Sequence, residues 1–145
     1  MSSDVLENLV KIGNLHKEKP DKEEIASLVN SAKVKLQDAQ IEQLNIESRF
    51  DLAYNASHAL ALAALRSHGY RSSGRYLVFQ CLEHTLNTPP EQWRVLDDAH
   101  RKRNNAQYEG NFEVSEGLVD SVIEISKHML TTITSKGDLG GQVLS

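Results

Sequence analysis

Leu52-Ala53-Tyr54-Asn55-Ala56-Ser57-His58-Ala59-Leu60-Ala61-Leu62-Ala63-Ala64-Leu65 contains no Asp, Glu, Lys or Arg and six alanines. The run has no strand-like alternation, and it sits inside a helical pattern spanning residues 47–68. A helix that is apolar nearly all round is enclosed by other elements. Alanine on several faces lets those neighbours approach closely. Asn55, Ser57 and His58 make the run too polar, and its length makes it too short, for the ~18 apolar residues that mark a membrane span. Gly69 ends it. The reading therefore starts from a buried central helix in an all-α protein.

Both flanks carry helix punctuation. Upstream, Asp21 is an N-cap with Glu24 three residues on, a variant of the capping box. Ile25, Leu28, Val29, Ala32, Leu36 and Ala39 follow at helical spacing. Asp4 to Ile12 reads as a short helix with Val5, Leu9 and Ile12 on one side, ended by Gly13. Downstream, residues 74–86 predict a helix packing through Tyr76, Leu77, Phe79, Leu82 and Leu86. In Thr88-Pro89-Pro90-Glu91, Thr88 is the expected N-cap and Pro89 the first helical position. The helix so begun carries Trp93, Leu96 and Ala99 and ends near Gly110. A last helix is expected from Ser115 to about Thr134, striped by Leu118, Val119, Val122, Ile123, Met129, Leu130 and Ile133. No strand and no repeat is predicted. The fold class is an up-and-down bundle of four main helices with short additional ones. Residues 1–20 form a short helix and linker, 21–135 the bundle, and 136–145 a flexible, glycine-bearing tail.

Composition narrows the function classes. A 145-residue chain suits one domain and buries roughly 70% of its unfolded surface. Cys81 is alone, so neither a disulfide framework nor a zinc-ligand spacing exists. Met1-Ser2-Ser3-Asp4 lacks a basic n-region with an apolar core, so no secretory signal is read. The expected location is cytoplasmic, with no membrane association and no cofactor. The net charge of −4 argues against sequence-blind nucleic-acid binding but leaves room for a local basic site.

That local site is Arg101-Lys102-Arg103-Asn104-Asn105-Ala106-Gln107-Tyr108-Glu109-Gly110. Arg103 shares a helix face with Leu96 and Ala99, so a permanent charge falls where the core is expected. Arginine is almost never fully buried without a partner. One explanation is an internal pair with Asp51 or Asp98. The other is an anion-binding arginine at a groove or subunit interface, since its planar fork suits phosphates. Arg101 and Lys102 would add attraction, or simply form a solvated face. Asp97-Asp98 stands ready to orient Arg101 or Arg103. His100, three residues before Arg103, is placed to approach it. His84 and His58 read as packing residues, His58 within reach of Tyr54. No metal-ligand pattern and no glycine-rich phosphate loop is present.

The helix layout together with Arg103-Asn104-x-x-x-Tyr108 resembles the HEPN superfamily (higher eukaryote and prokaryote nucleotide-binding domains). The segment Ser48-Arg49-Phe50-Asp51-Leu52-Ala53-Tyr54-Asn55-Ala56, followed by His68-Gly69-Tyr70-Arg71, is similar to a bacterial subgroup of HEPN-like proteins. The resemblance spans roughly residues 21–135. It implies a helical bundle, often dimeric, and in active members a metal-independent ribonuclease whose signature is Arg, four to six residues, then His. Here the His position is Tyr108. Histidine titrates near pH ~6.5 and tyrosine near ~10, so Tyr108 is a poor proton acceptor at neutral pH. It still suits stacking on a base, worth ~1–3 kcal/mol; its other reading is packing at a helix end.

Three functions follow as expectations. The first is a dimeric HEPN-like module that holds RNA or a nucleotide through Arg101, Arg103, Asn104 and Tyr108, within a defence or toxin–antitoxin-like system and with a cognate protein partner. The second is an active ribonuclease in which Tyr108 or His100 replaces the usual His. The third is a structural adaptor whose Arg-Asn-Tyr cluster caps helices and pairs subunits. No catalytic residue and no metal ligand is assigned.

Overall fold

In the computed structural model, which describes residues 2–72, 74–109 and 114–135, the charge-poor run forms the middle of a 22-residue helix. In chain order the elements are α1 (Ser2–Lys11), β1 (Leu15–Lys17), α2 (Lys22–Ala39), α3 (Ile46–Ser67), β2 (Tyr70–Ser72), α4 (Arg75–Gln80), α5 (Leu82–Thr85), α6 (Pro90–Glu109) and α7 (Glu116–Ser135). The protein is an all-α helical bundle whose main members are α2, α3, α6 and α7. The predicted tail, residues 136–145, lies outside the described residues.

α3 runs through the centre. All six alanines of the opening stretch are buried, along with Phe50, Tyr54, Ser57, Leu60 and Leu65. α2 lays Ile25, Val29, Ala32, Leu36 and Ala39 against it, and α7 does the same with Val119, Val122, Met129 and Ile133. α6 contributes Leu96 and Ala99. Small side chains on α3 are what make this enclosure tolerable. Extra methylenes in a packed core cost about 1–3 kcal/mol each time they force a shift.

The helix ends follow local chemistry. The Asp21 carboxylate accepts from the backbone N–H groups of Glu23 and Glu24, at 2.9 and 3.2 Å, and so caps α2. Gly69 takes φ of 88° after α3, a left-handed conformation that favours glycine. Ser115 Oγ accepts from Leu118 N at 3.1 Å and caps α7.

Four expectations are corrected. A small antiparallel pair exists, with Leu15 opposite Ser72, His16 opposite Arg71 and Lys17 opposite Tyr70. The predicted helix over 74–86 is two, α4 and α5, with Cys81 between them. The proline signal is displaced by one: Pro90 is the first helical residue, and the Pro89 carbonyl takes the first bonds, from Gln92 and Trp93. Finally, α1 buries Leu6 and not Val5 or Ile12, which are 39% and 68% exposed. Leu6, Leu15, Leu65, Tyr70 and Cys81 form a second, smaller core that seats α1 and β1 on the end of α3.

That end is held by a charge. Arg66 is 1% exposed, the largest fully buried side chain among the described residues. Its Nη1 donates to the Glu18 and Tyr70 carbonyls at 2.9 and 3.3 Å, and its Nη2 to the Lys19 carbonyl at 2.8 Å. Its Nε donates to Glu24 Oε1 at 2.9 Å. Arg71 adds a second layer, reaching Glu18 Oε2 and Glu24 Oε2, each at 2.8 Å. Three chain segments meet on one guanidinium: the 18–20 linker, the start of α2 and the turn into β2.

This network predicts a pH dependence. The Arg71 hydrogen bond, and then Arg66, hold the Glu24 carboxyl below its ordinary value of 4.5; the Arg71 hydrogen bond does the same for Glu18. A carboxyl depressed in the folded state adds stability above its unfolded value, and that stability is lost as pH falls through the folded value. The urea midpoint is therefore expected to drop as pH falls through the ordinary carboxylate range and below it. Glu24→Gln should flatten that slope; an unchanged slope would remove Glu24 from the account.

Candidate functional site

Tyr54 lies on α3 facing α6 and α4, and it is fully buried. Around it the fold gathers His58 from the next turn of α3, Phe79 from α4, and His100, Arg103 and Asn104 from α6. Tyr54 and His100 rings are 6.1 Å apart and near parallel, at 28°. Phe79 meets Tyr54, His58 and His100 edge-on, at 5.8, 5.9 and 6.4 Å between centroids. Such ring pairs add about 0.5–1.5 kcal/mol beyond the area they bury. The cluster is rigid because three helices each supply part of it.

A polar chain runs through these rings. Tyr54 Oη and His100 Nδ1 are 2.8 Å apart, and His100 Nε2 and Asn104 Nδ2 are 3.2 Å apart. Two proton arrangements satisfy a neutral imidazole here. In one, Asn104 donates to Nε2 and Nδ1–H donates to the Tyr54 oxygen. In the other, Tyr54 donates to Nδ1, and Nε2–H meets the Asn104 amide oxygen after the amide turns over. Either way both ring nitrogens of His100 are engaged, and the ring is fixed in place.

Arg103 completes the arrangement. Its guanidinium carbon lies 5.0 Å from the centroid of the Tyr54 ring. A cation over an aromatic face gains about 0.5–2 kcal/mol, depending on how dry the site is. This interaction explains a charge on the Leu96–Ala99 face: the core offers it a π surface. The internal carboxylate pair is not formed. Asp98 leans toward Arg101, at 3.7 Å, and Asp51 is exposed. No acidic group among the described residues forms an ion pair with Arg103. Among the described residues, its N–H groups are therefore not committed to a carboxylate. Arg103, His100 and Asn104 are half-buried, and the fully buried Tyr54 ring is the floor they rest on.

No family model, curated protein or solved structure matches this chain.

Of the four residues singled out from sequence, the three with described side chains do not all come together. Arg103 and Asn104 join one cluster. Arg101, two positions from Arg103, is about 200° round the helix from it at 100° per residue; its side chain is 65% exposed, and it belongs to a solvated face. Tyr108 is in α6, but its side chain lies outside the described residues. Among the described residues no group of three or more His, Cys, Asp or Glu side chains could hold a metal ion, and no helix is long and apolar enough to cross a membrane. Sequence spacing located His100 and the Tyr54–His58 contact, but not the joining of the two. Phe79 and the Tyr54 floor come from helix pairing, which no local spacing reports.

Chemically, the cluster offers a guanidinium fork for a phosphate or carboxylate and the half of the Asn104 amide not used on His100. Charge-assisted hydrogen bonds of this kind are about twice as strong as neutral ones.

Proposed function

We propose that this chain is a HEPN-like RNA- or nucleotide-binding helical domain, dimeric and cytoplasmic, without efficient catalysis, acting with a cognate protein in a defence or toxin–antitoxin-like system. The observation that carries the binding part is Arg103: a half-buried guanidinium seated on Tyr54, with no acid paired to it among the described residues. A cation so placed costs desolvation that an incoming phosphate would offset. The half of the Asn104 amide not used on His100 supplies a hydrogen-bonding group for a ribose or base. The dimer, the partner and the biological setting come with the HEPN resemblance of the Arg103-Asn104-x-x-x-Tyr108 segment.

The test is binding of short oligoribonucleotides by fluorescence anisotropy, with wild type and Arg103→Ala. Losing one phosphate contact should weaken binding about tenfold and reduce the salt slope by about one. Equal affinity in both proteins would end the proposal. Arg103→Ala that binds normally but sediments as a different oligomer would favour the adaptor reading.

A second reading, a metal-independent ribonuclease, draws on one observation. His100 lies in the same cluster as Arg103, so an imidazole is at hand although Tyr108 occupies the motif position. A general base must come within about 3 Å of the proton it takes, directly or through one water. Labelled RNA cleaved in the presence of chelator by wild type and not by His100→Ala would favour this reading over binding alone.

A further inference from the structure

We propose that His100 is a positioning residue: its protonation turns over the Asn104 amide, so that the site meets a phosphate with a donor in place of an acceptor; this rests on the binding function proposed for the Arg103 cluster. Asn104 Nδ2 lies 3.2 Å from His100 Nε2. An amide nitrogen only donates, so Nε2 is the acceptor and the neutral ring carries its hydrogen on Nδ1. Nδ1–H then donates to Tyr54 Oη at 2.8 Å. In that state the half of the amide turned away from His100 is Oδ1, an acceptor, and a phosphate oxygen is repelled by it.

An imidazolium donates from both ring nitrogens. The Nδ1 contact survives protonation, because the Tyr54 hydroxyl oxygen accepts in both states. The Nε2 contact does not, because Nε2–H would face the Asn104 NH2 group, donor against donor. A half-turn of the amide about its last side-chain bond sets Oδ1 against Nε2–H and turns the NH2 group outward. The rest of the cluster stays in place. Tyr54 and Phe79 hold the His100 ring at 6.1 and 6.4 Å between centroids, and Arg103 keeps its seat on Tyr54. One proton thus acts twice: it adds a positive charge one turn from Arg103, and it exchanges an acceptor for a donor.

The charges around the ring set the direction of the effect. α3 brings Tyr54, with His58 of the next turn in ring contact with Tyr54 and Phe79. α4 brings Phe79 and, among its described side chains, no titratable group. On α6, the buried Asp97 lies three residues before His100 and Arg103 three after, both on its side of the helix. Asp97 favours the imidazolium and Arg103 opposes it. A phosphate at Arg103 offsets the opposing charge, so protonation and anion binding favour each other. Affinity therefore rises as pH falls through the imidazole range, and the gain is lost as pH rises back through it.

The experiment follows oligouridylate binding by fluorescence anisotropy at constant ionic strength, from about pH 8 to about pH 5.5, across the imidazole range. Phosphodiesters and uracil keep their charge over that span, so only the protein titrates. Wild type should bind about tenfold tighter at the acid end, the worth of one hydrogen bond to a charged group. His100→Gln should bind without the rise, and Asn104→Ala should keep only the part due to charge. Nitrogen NMR of labelled wild type, without RNA, tests the amide itself and needs no variant to fold. His100 should be the Nδ1–H tautomer at the alkaline end, and the Asn104 side-chain signals should shift as the ring protonates. A ring already in the Nε2–H form there, or Asn104 signals that do not move, overturns the turning amide even where RNA binds. Wild-type affinity that does not change with pH overturns the coupling to anion binding. A full rise in folded His100→Gln removes His100 from the reading. No binding at any pH, with the NMR shifts present, overturns the proposed function and leaves the turning amide standing.

Discussion

Arg66→Ala is expected to lower the free energy of unfolding by about 3–5 kcal/mol, the range seen when one member of a buried charge cluster is removed. The Arg66 guanidinium satisfies the carbonyls of Glu18, Lys19 and Tyr70 and one oxygen of Glu24. Its loss strands those acceptors and leaves a void at the end of α3. Arg71 still holds Glu18 and Glu24, which keeps the cost from rising further. Arg66→Lys retains the charge but cannot reach four acceptors from one plane, so it should recover only part of the loss. Urea unfolding of the three proteins measures this. A loss below about 1 kcal/mol would mean the cluster is only a surface pairing, with the small worth such pairs have.

Tyr54→Ala should have a comparable effect for a different reason. Removing a buried ring from a close-packed core costs about 3–5 kcal/mol, because the cavity closes only in part. Tyr54 touches Phe50, His58, Phe79 and His100 as well as Arg103. Tyr54→Phe keeps the ring and removes only the hydroxyl that meets His100, so its cost should be about 1–2 kcal/mol. The two variants also separate floor from hydrogen bond at the site. The phenylalanine form keeps a π face under Arg103 and should retain oligoribonucleotide binding; the alanine form should not. Equal denaturation midpoints for the two variants would contradict this account.

The parts of the fold legible in the sequence are those where cause and effect lie within a few residues. The Asp21 cap, the stripe from Ile25 to Ala39 and the alanine-rich α3 are each written in local spacing. The strand pair was invisible, because three residues are too few to show alternation and their partners lie far along the chain. The break at Cys81 leaves backbone angles close to helical, φ −68° and ψ −15°, so residue type gives no warning of it. At the site, the odd position of Arg103 was legible, since a charge on an apolar face stands out. Its solution was not. The ring beneath it belongs to another helix, and so do the carbonyls that receive Arg66.

The pairing of β1 with β2 bears on how this chain is made. Residues 15–17 leave the ribosome long before 70–72 exist to receive them. Until then α1 and the first strand have no stable seat, and Leu6 and Leu15 stay open to wrong company. Non-local contacts of this kind form late and slow a folding chain. Residues 2–17 must therefore wait during synthesis for residues 70–72, and meanwhile Leu6 and Leu15 are open to a chaperone or a protease.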